Sequence, residues 1–242
     1  MRSHVLAVLS IAIAALIASV AAAKCNDPPA KAVDWRRCDK IGVDLHGMRM
    51  QGARLGEAVM TRANLTHADL SSGDFYATIL YDADLTGANF DAAQMRGVAM
   101  TGANLSGANF ANADLERAIL LKANASSANF VGARLRASIF NETNLSKAVL
   151  SKVDLAGATM IQAAMAGVDL SGADLTGADL AGADLRGADL AGAVFASANL
   201  VGVDLRKAKI GKADLTGASL IGAIWVDGRR CGPASIGRCA VD

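Results

Sequence analysis

The chain has 242 residues, of which 52% are hydrophobic but only 4% aromatic, with 24 glycines and 3 prolines. Alanine supplies much of the apolar content, which predicts a narrow interior filled by small groups and excludes a broad core of large side chains. The 24 basic residues nearly balance the 23 acidic ones, so no net field favours nucleic acid or an acidic lipid surface.

In chain order, residues 1–23 stand apart. Arg2 is their only charge, Val5 to Val20 is an apolar run, and Ala21-Ala22-Ala23 fits an A-x-A cleavage site. This predicts a secretory signal peptide cleaved after Ala23, a periplasmic or secreted mature chain, and no stable membrane anchor. The apolar run is shorter than the ~20 residues a membrane span needs. Loss of Arg2 leaves the mature chain formally neutral.

Residues 24–42 hold Trp35, Cys25 and Cys38 and are read as an N-terminal cap. From residue 43 to 225 a large apolar residue recurs at every fifth position (i). All thirty-seven such positions from Leu45 to Trp225 hold Leu, Phe, Met, Ile or Trp, save Ala125. Position i−2 is mostly Ala, i−1 mostly Asp or Asn, and i+2 often Gly. Steps of five turn an α-helix by ~140°, which smears the leucines round the cylinder. In one long strand they alternate faces. Breaking the strand every five residues resolves this: i−2 and i then point inward together while i−1 and i+1 point outward, and the Gly-rich end turns the corner.

Ala103-Asn104-Leu105-Ser106-Gly107 has the pattern A-(D/N)-(L/F)-(S/T/R)-G and resembles the pentapeptide-repeat family. The resemblance covers residues 43–225. It implies an all-β, right-handed quadrilateral parallel β-helix with four pentapeptides per coil and about nine coils, ~45 Å long at the spacing of paired strands. Twenty-residue spacing then stacks Phe90, Phe110 and Phe130 in one interior column. Phe130 and Phe140 flank Ala125, which reads as volume compensation in a tight core.

Residues 226–242 form the C-terminal cap, with Cys231 and Cys239. "CNDPPAKAVDWRRCDK" before the repeats and "IWVDGRRCGPASIGRC" after them both resemble the flanks of exported bacterial members of the family. Four cysteines allow three pairings. The rod length implied by the resemblance separates the two flanks far beyond the ~7 Å that bridged Cα atoms allow, so Cys25–Cys38 and Cys231–Cys239 are expected.

No nucleophile elbow, phosphate loop or dinucleotide fingerprint appears. No catalytic residue, cofactor or metal is therefore assigned, and the chain is read as non-enzymatic. His46 and His67 fall near each other one coil apart, but a zinc site needs more ligands than two, and the third would have to be borrowed from an aspartate such as Asp84. Arg96, Glu116 and Arg136 are expected to stack as an opposite-charge ladder. Arg186, Arg206, Lys207, Lys209 and Lys212 are interleaved with Asp184, Asp204 and Asp214, which argues against a nucleic-acid footprint.

One exterior column breaks the repeat's rule. At i−1, Val59, Ile79, Ala99, Ile119, Ile139 and Thr159 replace Asp or Asn, and Tyr81, Leu121 and Ile161 lie beside them at i+1. They predict an outward apolar stripe that contacts an envelope protein or a second copy of the chain; the competing reading is ordinary β-sheet surface. The expected function is an exported scaffold for protein–protein interaction or self-association. The resemblance also brings two alternatives. One is a DNA mimic that protects gyrase, a role of strongly acidic cytoplasmic dimers, against which the signal peptide and neutral charge count. The other is an envelope enzyme, for which no constellation is present.

Overall fold

A computed structural model describes residues 25–240; the expected signal peptide lies outside them. The backbone is a solenoid. Parallel bridges join each i−1 residue to the one twenty positions on, as in Asn64 to Asp84 and Asp84 to Asn104, and four such columns of bridges and four tight turns make one circuit. The bridges are single. Each side has only three residues between turns, so the short strands expected from the period never lengthen into a ladder along the chain; the pairing runs from circuit to circuit instead.

An account of the backbone N–H groups explains the five-residue rule. In the pentapeptide Ala83-Asp84-Leu85-Thr86-Gly87, Asp84 donates to the circuit before it (Ala63 O, 2.9 Å) and Leu85 to the circuit after it (Asn104 O, 2.7 Å). Gly87 donates to Ser106 O at 3.0 Å, and Ala88 closes the corner on Leu85 O at 3.0 Å. Only the N–H at i+1 is left, and the side chain at i−1 takes it: Thr86 donates to Asp84 Oδ1 at 3.0 Å. This is why Asp and Asn recur there. They are the side chains short enough to accept a bond two residues on.

The corner residue at i+2 is left-handed at every turn from Ala32 to Gly222, with φ between 51° and 70°. Arg62, Glu142 and Lys147 hold this conformation as well as glycine does. An isolated L-residue resists it by about 1–2 kcal/mol, but the corner bond and the inter-circuit bond above leave the chain no alternative.

Inward positions are sealed. Leu65, Leu85, Met100 and their counterparts at i are buried up to Leu205, with alanines at i−2 filling the space between them, while Ile210, Leu215 and Trp225 near the C-terminal end are half-buried. Phe90, Phe110 and Phe130 stack with centroids 5.1 and 5.0 Å apart and rings within 7° of parallel. Phe130 meets Phe140 edge-on at 6.3 Å, and Ala125, the one small residue in the i series, is fully buried. Where polar residues point inward at i−2, they bond a corner carbonyl: Thr78 reaches Leu55 O at 2.8 Å and Thr143 reaches Leu120 O at 2.6 Å.

The frame begins before Val43. Val33, Trp35 and Cys38 point inward, and Asp34 and Asp39 bridge to Arg54 and Val59. Trp35 is anchored by donation to Asp27 O (3.1 Å), with the Lys40 ammonium 3.7 Å over its ring. Cys25–Cys38 and Cys231–Cys239 are both bonded, the pairing expected from the sequence. At the far end the chain reverses: Ser219 pairs antiparallel with Ile236, and Ile224 with Arg230. Leu220, Gly222 and Trp225 thereby donate to Ser235, Cys231 and Arg229, which covers a strand edge that would otherwise invite stacking.

Candidate functional site

The i−1 column singled out by the sequence is continuous in space. Val59, Ile79, Ala99, Ile119, Ile139 and Thr159 follow one another through parallel bridges. Ala99 is buried and the others are half-buried, because each side chain leans on those one circuit above and below. At i+1, Tyr81 is exposed (42%), whereas Leu121 and Ile161 are half-buried. All nine residues expected to form the stripe therefore lie on one side of the rod, bounded by the corner at Arg62, Asp82, Lys122 and Glu142.

These substitutions carry a cost that the N–H account makes visible. Val and Ile accept no hydrogen bond, so the amides of Thr61, Tyr81, Thr101, Leu121 and Asn141 have no acceptor among the described residues. Ile161 is rescued by its neighbour, donating to Asn141 Oδ1 at 3.0 Å. On two other sides of the same circuits asparagines close both needs. Asn109 and Asn129 each donate up the column, to Asn89 and Asn109 at 2.9 and 3.0 Å, while their own oxygens take the N–H groups of Ala111 and Val131.

Sequence reasoning missed the reach of the i+1 column. Ile41 is 50% exposed at one end of the rod, Val201 and Ile221 38% and 39% at the other. Following the twenty-residue spacing beyond the i−1 replacements would have found them. It would also have found an alternation: Ile41, Tyr81, Leu121, Ile161 and Val201 fall on every second circuit, with Thr61, Thr101, Asn141 and Ala181 between them.

The remaining candidates resolve into local pairs. His46 and His67 meet edge-on with centroids 5.9 Å apart, and His46 Nδ1 lies 2.6 Å from Thr66 Oγ1. The His67 ring lies over Gly87, where a Cβ would come within 2.6 Å of Nδ1. Among the described residues, no group of three or more His, Cys, Asp or Glu side chains is placed to hold a metal. The expected charge ladder is only half formed. Glu116 pairs with Arg96 (3.1 Å) and with Arg134 (3.5 Å), while Arg136 turns to Asp154 (3.3 Å). Arg134 comes from the adjacent column and takes the place expected for Arg136. In the basic cluster, Arg186 holds Asp184 at 2.6 Å, Arg206 holds Asp204 at 2.5 Å and Lys209 reaches Asp189 at 3.3 Å. Hydrogen bonds from the two guanidiniums pull the Asp184 and Asp204 carboxyls below the usual carboxylate range against a smaller effect of burial.

This geometry defines a class first. It is a β-helical solenoid in which most i−1 side chains bond their own backbone, with a continuous apolar column along one side from Val59 to Thr159. Pentapeptide repeats match residues 41–75, 74–107, 103–141, 128–165, 138–177, 173–211 and 198–224, and the chain belongs to the pentapeptide-repeat family. It is similar to HetL, a pentapeptide repeat protein involved in heterocyst differentiation regulation in the cyanobacterium Nostoc sp. Strain PCC 7120: 31% identity over 80% of this chain and 90% of that one, TM-score 0.60. It is also similar to a trypsin-treated form of QnrB1, a plasmid-mediated fluoroquinolone resistance protein, with 26% identity over 76% of this chain and 89% of that one and a TM-score of 0.51. These likenesses make the solenoid a right-handed β-helix. No curated protein sequence matches the chain. Members of the family are generally non-enzymatic structural or protein-binding proteins.

Proposed function

We propose that the chain is a non-enzymatic scaffold, exported to the periplasm or beyond after cleavage at Ala23, that binds an envelope protein or a second copy of itself through the apolar side. The reading includes a rod of four-sided cross-section and about nine coils; four corners per twenty-residue circuit and the unbroken bridge spacing support it. The observation that carries the function is the i−1 column. Val59, Ile79, Ile119 and Ile139 forgo a hydrogen bond that Asp or Asn makes at most other i−1 positions on the rod, and they do so within one continuous column.

The test is capture from an envelope extract by wild type and by the double variant Ile119→Asn, Ile139→Asn. Loss of the captured protein with circular dichroism unchanged supports the reading; equal capture by both refutes it. The likeness to QnrB1 favours one second reading, protection of a topoisomerase from drug by mimicry of DNA. The near balance of 24 basic against 23 acidic residues opposes it, since a DNA mimic needs a strongly negative surface. A supercoiling assay in the presence of the mature protein separates the two.

A further inference from the structure

We infer that the occupant of the apolar side is a second copy of this chain, packed antiparallel against the first with its two-fold axis between the circuits of Thr101 and Leu121. This rests on the proposal that the stripe is a contact surface and goes further by fixing partner, direction and register.

Two columns lead to the axis independently. Let the circuits be numbered by the i+1 column, Ile41 being in the first and Ile221 in the tenth. Large residues stand on odd circuits and small or polar ones on the even circuits between, up to the eighth. A two-fold axis lying in the plane of contact and across the rods sets each column against its own copy in reverse. Knobs then meet hollows when facing circuits add to an odd number, and knob meets knob when they add to an even one. A sum of nine places Leu121 against Thr101, Tyr81 against Asn141 and Ile161 against Thr61.

The i−1 column selects among the odd sums. Its replacements occupy circuits two to seven, so their midpoint lies between the fourth and fifth, the axis that a sum of nine requires. Ala99 then faces Ile119, Ile79 faces Ile139 and Val59 faces Thr159. A sum of seven would set Ile139 against Asp39, and a sum of eleven would set Ile79 against Asp179. Nine alone sets all six i−1 replacements against one another and none against an aspartate.

The rim sets the limits of the overlap. Beyond the second and seventh circuits Asp39 and Asp179 would face each other. At the corner Asp82 would approach Glu142, which Lys122 holds at 3.6 Å. Six circuits at about 4.8 Å, with a side about 15 Å wide, cover on the order of 400 Å² per copy. This is below the ~800 Å² per partner of a standard stable interface and belongs with weak, concentration-dependent pairs. Copies held near one another at a membrane or on a shared partner would pair; dilute ones would separate.

Dipolar electron spin resonance on the full mature chain tests the register. All four cysteines are in disulfides, so a single introduced thiol takes the label. Lys122→Cys lies in the fifth circuit, next to the axis, and Val201→Cys in the ninth, outside the overlap. Identical labels in the antiparallel pair are offset along the rods by about 5 Å at position 122 and about 43 Å at position 201. The second separation should therefore exceed the first by about 30 Å. Both signals should be lost in Ile119→Asn, Ile139→Asn, and in Tyr81→Ser, Leu121→Ser, which leaves the i−1 column intact.

Equal separations at the two positions mean a parallel pair: the register falls and the contact surface stands. No dipolar signal, with sedimentation as a monomer at millimolar concentration, removes the second copy as occupant, leaving the extract experiment to judge the partner reading alone. Unchanged separations in both stripe variants would show that another side pairs, and would overturn the register and the contact surface together.

Discussion

The stretch from Val168 to Leu190 and the apolar side from Val59 to Thr159 have the same backbone and opposite exteriors. In the first, every i−1 residue is aspartate, and Asp169, Asp174, Asp179, Asp184 and Asp189 each accept the N–H two residues on at 2.9–3.1 Å. In the second, Val and Ile stand at the same place in the frame, the turns keep their left-handed corners, and five amides have no acceptor among the described residues. The interior is equally sealed in both. The fold is therefore specified by i and i−2, and the i−1 position is free for another use wherever the loss of one bond to an exposed amide can be borne.

That division can be broken from the inside first. Leu175→Ala removes a fully buried side chain from the regular stretch and should cost about 2–5 kcal/mol as a cavity the stacked circuits cannot collapse. Ala125→Leu should cost about 1–3 kcal/mol by overpacking against Phe130 and Phe140. Denaturant unfolding measures both, and a melting temperature at or above wild type for Ala125→Leu would end the compensation argument. If either change were tolerated like a surface mutation, inward positions would not be what specifies the fold.

Exterior changes should be smaller. Asp179→Ile, which imports the stripe's residue into the regular stretch, should cost about 0.5–1.5 kcal/mol, the net worth of the bond to Ala181 and of the one Asp179 accepts from Asn199. Acid should act in the same region. The folded Asp184 and Asp204 carboxyls titrate below their unfolded value of 3.8, so their contribution is complete above that value and is lost as pH falls through the lower folded values. Replacing Arg186 and Arg206 by Gln should lower stability near neutrality, have little effect in strong acid, and so flatten the profile below pH ~4.

Much of this division was legible in the sequence. The unbroken frame gave the inward columns, the stacked Phe90, Phe110 and Phe130, and the place of the exceptional i−1 residues. The disulfide pairing followed from the resemblance and its implied length. What stayed hidden depended on more than spacing. Left-handed corners at Arg62 or Lys147 cannot be read from residue type, because hydrogen bonds from adjacent circuits impose them. The partner of Glu116 was misjudged because a long guanidinium in the next column, Arg134, reaches it as well as one in its own. Single bridges replaced the short strands because the corner residues take up the rest of each pentapeptide.

The most direct test of the central claim is sedimentation of wild type beside Ile119→Asn, Ile139→Asn across a wide concentration range. Asparagine at 119 can accept the Leu121 N–H, and at 139 that of Asn141, so the variant should fold as before, with stability within about 1 kcal/mol of wild type. We expect unchanged far-ultraviolet circular dichroism, reversible self-association of wild type, and a variant that remains monomeric. A wild type that stays monomeric at every concentration, together with a variant that captures the same envelope proteins, would contradict the account and make the apolar side ordinary sheet surface.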